Sequence, residues 1–173
     1  MVSLRQAFRG GVDQTEPGWM EIIVPVTDAE SESRLLQIVE RIAVRPKVIV
    51  TLVYVVEVAQ SMPLDAELPS EVTHGENVLR EAQDHILKHV AGKKVTVNTE
   101  LLQARSAGAA IVDEAIDRDA GVIIMSASIQ RKHGEMTLGE TVDHVLKRAH
   151  CEVLLIREEM PEWLLPSMEP DLE

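Results

Sequence analysis

The chain has 173 residues, of which 45% are hydrophobic and 2% aromatic, and its formal net charge is −12. This length allows one domain with a sizeable core, which Ile, Val, Leu, Ala and Met must build because aromatic residues are so few. The charge argues against nucleic acid as a partner, since phosphate backbones are bound by clustered Lys and Arg.

Apolar periodicity predicts strands that alternate with helices between two irregular ends. Residues 1–20 are predicted to be an N-terminal arm, and residues 158–173 an acidic, proline-containing tail. Strands are predicted where β-branched residues are concentrated, at 21–26, 47–58, 93–104, 121–127 and 151–157. Helices are predicted at 30–43, 70–90, 106–120 and 139–150, with Gly92 as the C-cap of the second and a polar loop before the fourth. In the fourth helix we expect an inward face of Val142, Val145, Leu146 and Ala149.

This alternation predicts an α/β fold, in which a doubly wound parallel sheet of five strands carries helices on both faces across residues 21–157. Ligands of such sheets bind outside the carboxyl ends of the strands, at the point where the strand order reverses. Here that point lies after the first and fourth strands, near Thr27 and Asp28 and near Ser126 and Ser128. We interpret both serines as polar turn residues, since no G-x-S-x-G elbow or other nucleophile–base pattern accompanies them.

From Glu21 to Arg157 the sequence resembles the universal stress protein family. The segments "IIVPVTDAESE" and "VTLVYVV" resemble its first two strands, and "GETVDHVLKRAHCEVLLIR" resembles its last helix and strand. The resemblance implies an adenine-nucleotide α-hydrolase-like fold with strand order 3-2-1-4-5 and a homodimer that pairs through the last strand. "VPVTDAE", "QARSAGAAIVDEAI" and "RKHGEMTLGETV" also resemble stress-protein-like domains of amino-acid-permease-type transporters, which implies a regulatory domain that serves a transporter or signalling protein.

ATP-binding members of that family carry G-x-x-G, nine residues, and then G-[ST]. Glycine lets backbone N–H groups approach the phosphates, and the hydroxyl adds a donor at a helix N-terminus. The corresponding positions here are Ser126, Ile129, Gly139 and Glu140, so one of the four is kept. We therefore expect that ATP is not bound in the family's usual manner.

A nucleotide could still occupy the same crevice. The resemblance places its base near Thr27, Asp28 and Val55, and its phosphates near Gly139, Glu140 and Thr141. A basic loop of Arg131, Lys132 and His133, joined by Arg105, could grip ATP, AMP or a cyclic dinucleotide, or could simply be solvated.

Glu140 has a structural interpretation as well. Residues 137–140 and 27–30 both fit the capping box S/T-x-x-E, in which the glutamate returns to the cap backbone at the start of a helix. Glu140 would then fill the anion position with the protein's own charge.

Other polar residues give weaker signals. His85 and His89 have the i,i+4 spacing of zinc ligands, but the sequence shows no third ligand, so no metal site is predicted. His144 and His150 are placed on the polar flank of the fourth helix. Cys151, the single cysteine, excludes an intramolecular disulfide and is expected to be a buried small hydrophobic residue.

These observations predict a regulatory or scaffold domain that is not an enzyme, has no obligatory cofactor and does not insert into membranes. The alternative is a nucleotide-binding sensor that uses Arg131, Lys132 and the N-terminus of the fourth helix. Because the sequence has neither a signal-peptide pattern nor an apolar run of membrane-spanning length, we expect a cytoplasmic location.

Overall fold

The computed structural model describes residues 20–27, 33–43, 47–90, 95–132 and 135–157. The elements, in chain order, are β1 (Glu21–Pro25), α1 (Ser33–Ile42), β2 (Val48–Glu57), α2 (Pro69–His89), β3 (Val95–Ala104), α3 (Ala107–Asp117), β4 (Val122–Ala127), β5 (Gln130–Lys132), β6 (Glu135–Thr137), α4 (Glu140–Arg148) and β7 (Glu152–Arg157). Residues 1–19 of the predicted arm, the predicted tail and Gly92 lie outside the described residues. None of the described helices is long and apolar enough to span a membrane.

The main sheet has five strands in the order β3-β2-β1-β4-β7, and all of its neighbouring strands are parallel. The predicted fold class and strand order are thereby confirmed. The fifth predicted strand is β7 here, because β5 and β6 form a separate pair. The chain winds outward from β1 in one direction to β3 and in the other to β7, so the reversal lies between β1 and β4.

The sheet is covered on both faces, because the buried side chains of its strands alternate between two apolar clusters. One cluster joins the sheet to α1 and α2 through Leu36, Leu79 and Ile86. The other joins it to α3 and α4 through Ile111 and Val145. The helices therefore form two layers, each packed on its own face of the sheet.

The polar loop predicted between the fourth strand and the fourth helix is wrong in part. Residues 130–132 and 135–137 form an antiparallel pair, β5 and β6, in which Gln130 lies opposite Thr137 and Lys132 opposite Glu135. The sequence does not show the apolar alternation that marks a half-buried strand, and Met136 is largely exposed. Backbone pairing therefore defines β5 and β6.

The predicted inward face of α4 is wrong at one position. Val142 and Val145 are buried, whereas the side chain of Leu146 is 50% exposed. Residues 142, 145 and 149 follow the three-to-four-residue repeat of a helix face, and the next position after Val145 turns about 100° away from the sheet.

Candidate functional site

A cleft of about 420 Å³ opens between the carboxyl ends of β1 and β4. β1 pairs with β4 only at Ile22–Val122 and Ile23–Ile123, so both strands continue unpaired with each other beyond these residues. The cleft occupies this divergence, where the reversal of strand order predicts a ligand site. Its volume lies within the range of about 300–1,000 Å³ that is usual for small-molecule sites.

Four parts of the chain build the walls. The floor comes from the ends of the central strands, the sides come from the first turns of α3 and α4, and the rim comes from the segment that enters α4. The lining residues are Pro25, Val26, Thr27, Val53, Val55, Ala107, Ile111, Met125, Ser126, Ala127, Ser128, Thr137, Leu138, Gly139, Glu140, Thr141 and Val142. The lining is thus mostly apolar, and five of its residues carry a hydroxyl group.

Among the described residues that line the cleft, Glu140 is the only charged one. The two helix N-termini at the cleft also have acidic groups of their own. The Ala107 N–H at the start of α3 donates to Glu57 Oε1 over 2.6 Å. The first turn of α4 contains both Glu140 and Asp143. Since helix N-termini attract anions, the protein places carboxylates where a phosphate would otherwise be stabilised.

Gly139 fixes the entry of the chain into α4. It is the N-cap residue, and its φ of 93° and ψ of 157° form a conformation that L-residues rarely adopt. A Cβ added at Gly139 would meet nothing within 4 Å. Glycine is therefore required here by the backbone conformation and not by lack of space.

The capping box predicted at residues 137–140 is wrong. α4 begins at Glu140 with Gly139 as its N-cap, so Thr137 lies two residues too early to be the cap. The Thr137 hydroxyl instead accepts a hydrogen bond from the Gly139 N–H over 3.2 Å. It thereby holds the turn before the helix. The second predicted box falls mainly on residues 28–30, which lie outside the described residues.

Of the ten nucleotide-site residues predicted from the sequence, the structure brings six to the cleft. These are Thr27, Val55, Ser126, Gly139, Glu140 and Thr141. Ile129 is half-buried and does not belong to the lining residues. Asp28 lies outside the described residues, as does His133 of the basic loop. The backbone of Arg131 and Lys132 forms β5, but their side chains are not among the described parts of the chain.

Arg105, which was expected beside the basic loop, contacts backbone carbonyl oxygens of the segment after β2. Its guanidinium donates to the carbonyl oxygens of Val58 and Ala59, and to that of Met62 over 2.7 Å. These three bonds fix the segment after β2 to the end of β3. Arg105 therefore stabilises the end of β3, an edge strand that β2 and β1 separate from β4.

Three further side-chain expectations need correction. His144 is half-buried, and its Cβ lies against Gly108 of α3 rather than on a polar flank. Ser126 lies within β4, opposite Ile156 of β7, and is not a turn residue. The expectation that Cys151 is buried is wrong in part, because the residue is half-buried; this burial raises the pKa of its thiol.

Sequence reasoning missed the contribution of α3 to the cleft. Ala107 and Ile111 carry no chemical signal, because both are ordinary helix residues. Topology alone could have predicted this contribution. The helix α3 connects β3 to β4, and it begins beside the point where the strand order reverses. The small side chains at the start of α3, Ala107 and Gly108, allow the close approach to α4.

Comparisons with known proteins place this architecture in a family. The Universal stress protein family matches residues 18–157. A universal stress protein of Methanocaldococcus jannaschii is 31% identical over 114 residues, which is 64% of this chain and 65% of the relative. One from Mycobacterium tuberculosis is 28% identical over 100 residues, 58% of this chain and 35% of the relative. The matches thus cover less than two thirds of these relatives.

Solved structures agree on the fold. The universal stress protein from Archaeoglobus fulgidus in complex with dAMP has a TM-score of 0.62 at 21% identity, covering 80% of this chain and 98% of that one. A universal stress protein family protein from Arabidopsis thaliana with AMP bound has a TM-score of 0.56 at 14% identity, covering 86% and 96%. Together with the family match over most of the sequence, these likenesses show that the chain belongs to the universal stress protein family.

Proposed function

We propose that this chain is a non-catalytic regulatory or scaffold module that does not bind ATP in the family's usual manner. The observation that carries the proposal is the charge of the cleft, where Glu140 is the only charged residue among the described lining. An ATP-binding site needs donors and positive potential for the phosphates. This cleft offers hydroxyl groups, apolar surface and a carboxylate.

The size of the opposing effect can be estimated from Coulomb's law. A phosphate charge 4 Å from the Glu140 carboxylate would be repelled by roughly 4 kcal/mol at an effective dielectric constant near 20. Solvent screening reduces this value because Glu140 is exposed. Ile129 and Ser126, at two of the family's glycine positions, further limit the backbone N–H groups that could approach a phosphate chain.

A second candidate function is a nucleotide-binding sensor, which the volume of the cleft favours. The cleft of about 420 Å³ is large enough for a ligand with a base and a ribose. The solved relatives in complex with dAMP and with AMP support a ligand that has one phosphate. In this function Thr27 and Val55 would face the base, and Arg131 and Lys132 would hold a phosphate of AMP or of a cyclic dinucleotide.

Thermal unfolding with millimolar ATP, AMP, adenosine and cyclic di-AMP tests both functions. A ligand at 100 times its Kd adds about 2.7 kcal/mol to the free energy of unfolding. For a chain of this size that free energy corresponds to a rise in Tm of about 5–10 °C. We expect no rise with ATP. A rise with ATP would overturn the primary proposal, and a rise with AMP or cyclic di-AMP alone would favour the sensor.

If ATP does not raise the Tm, two variants identify the cause. Glu140→Gln removes the charge from the cleft and keeps the shape of the side chain. Asp143→Asn is the matched control, because Asp143 lies in the same first turn but does not line the cleft. Gain of ATP binding by Glu140→Gln alone would show that the carboxylate repels the phosphates. If AMP binds, Arg131→Ala should abolish its binding without lowering the Tm of the unliganded protein.

We also propose that the protein works in the cytoplasm as a homodimer and serves a transporter or signalling protein. The exposed edge of β7 supports the dimer. Within the described part of the chain β7 pairs with β4 alone, and its apolar residues 153–156 are only half-buried. An apolar edge strand of this kind needs a cover. Light scattering coupled to gel filtration should give twice the mass of one chain, and a monomer mass at micromolar concentration would contradict the dimer.

A further inference from the structure

Three potential metal ligands meet where the last turn of α1 packs beside the last turn of α2. Glu40 comes from α1, and His85 and His89 come from α2. The two histidines are four residues apart and therefore share one helix face. The sequence suggested this histidine pair but no third ligand, and the packing of α1 on α2 supplies it.

The distances between the ligand atoms suit one small cation. Glu40 Oε1 lies 3.1 Å from His89 Nδ1 and 3.7 Å from His85 Nε2. One potential ligand atom of each residue lies within 4.8 Å of the other two. In a tetrahedral zinc site with bonds of about 2.0–2.1 Å, neighbouring ligand atoms are about 3.3–3.4 Å apart. The observed separations lie on either side of this value, so small side-chain adjustments would complete the geometry.

Burial gives an independent reason to expect a partner for these atoms. The side chain of Glu40 is 12% exposed and that of His85 is 25% exposed. Glu40 Oε1 and both ring nitrogens of His85 are buried, and none of the three has a hydrogen-bond partner among the described residues. Although His89 Nδ1 is close to Glu40 Oε1, the two do not form a hydrogen bond. Buried polar atoms without partners are costly, and a metal ion would satisfy two of these three at once.

His89 can serve as the exposed ligand of the group. Its Nδ1 also lies 2.9 Å from the His85 carbonyl oxygen, to which it can donate when it carries the ring proton. Metal coordination through Nδ1 requires the other tautomer, with the proton on Nε2. The His89 side chain is 57% exposed, so that Nε2–H has access to water.

An open recess of about 370 Å³ lies beside the two histidines and gives a route for the ion. It is lined by Glu81, Asp84, His85, Lys88 and His89. Its two further carboxylates outnumber the one ammonium group, which favours a cation. Two histidines, one glutamate and a fourth position open to water make up a known type of zinc coordination.

We propose that Glu40, His85 and His89 bind one divalent transition-metal ion of the zinc type. The site is distinct from the cleft. Helices that connect parallel strands run back toward the amino ends of those strands, so the last turns of α1 and α2 lie at the edge of the sheet opposite the cleft. A bound ion would join α1 to α2 and thereby stabilise one helical layer without altering the walls of the cleft.

Isothermal titration of the untagged, full-length, EDTA-stripped protein with Zn²⁺ tests the proposal. We expect one ion per chain and a rise in Tm. Removing a ligand should weaken binding at least as much as removing a second-shell partner, which costs about 10- to 100-fold. His85→Gln and Glu40→Gln should therefore each lose tenfold or more in affinity. His74→Gln is the matched control on the same helix, because His74 contacts the Tyr54 ring and is not part of the cluster.

A second measurement does not depend on the folding of any variant. When Zn²⁺ is added to the unaltered protein, the ring-nitrogen NMR signals of His85 and His89 should change at one equivalent, and those of His74 and His144 should not. Co²⁺ should also give the strong visible absorption of a four-coordinate site. If the affinity of His85→Gln for Zn²⁺ equals that of the unaltered protein, or if all histidine signals move together, the proposal is overturned and the three side chains are only packing neighbours.

Discussion

Gly139→Ala should destabilise the protein although the added methyl group has open space around it. The φ of 93° and ψ of 157° at Gly139 lie in a region that costs an L-residue about 1–3 kcal/mol. Loss of glycine also restricts the unfolded chain, which offsets about 0.4–1 kcal/mol of that cost. The midpoints of these two ranges give a net loss of roughly 1.3 kcal/mol, or a fall in Tm of about 3–5 °C for a chain of this length.

Urea unfolding followed by circular dichroism measures this loss, and Gly139→Ser provides the control. Since nothing lies within 4 Å of the added Cβ and a Ser hydroxyl can cap the helix, Ser should cost no more than Ala. A steric mechanism would instead make the larger residue clearly worse. If Gly139→Ala is as stable as the unaltered protein to within about 0.5 kcal/mol, an error typical of such comparisons, the strained N-cap is refuted.

Three further predictions concern the core and the cysteine. Thr51→Val should lower the free energy of unfolding by about 1–3 kcal/mol in urea, because the buried Thr51 hydroxyl donates to Glu21 Oε1 over 2.7 Å. Thr51→Ser keeps the hydroxyl and should retain most of that stability. Gly108→Ala should lower the free energy of unfolding by about 1–3 kcal/mol through overpacking, since the new Cβ would lie 2.7 Å from His144 Cβ. An unchanged urea midpoint would contradict this contact. Burial raises the pKa of the Cys151 thiol, so iodoacetamide should modify the native protein more slowly than the urea-unfolded chain, and equal rates would disprove the effect. The Cys151 contribution to stability is full below the pKa of the unfolded thiol and is lost as pH rises through the native pKa.

The strands and their order were predictable because each of the central strands is buried on both faces. Residues 22–24 and 122–125 are continuous apolar runs, which is the pattern of a parallel sheet between two helical layers. The alternation of these runs with amphipathic helices then limits the topology to a few choices, and the resemblance selects among them. The position of the cleft follows from the same topology.

Features that depend on short polar segments were harder to predict. β5 and β6 have no apolar face, so their hydrophobic pattern carries no signal. The sequence motif favours Thr137 as the N-cap of α4. In the structure the N-cap is Gly139, whose positive φ only glycine adopts readily. The contact of Glu40 with His85 joins two helices at a distance of 45 positions, and no local pattern encodes it.

The pairing of β1 with β4 has a consequence for how the protein folds. Ile22 is hydrogen-bonded into the sheet beside Val122, which is separated from it by a hundred residues of chain. The other strand pairs of the sheet are closer in sequence: β1 with β2, β2 with β3, and β4 with β7. Closing so long a loop is slow, so two locally connected halves can form before the central pair joins them. Since the cleft lies at that junction, it exists only once both halves have met, and a ligand that binds there would report on completed folding.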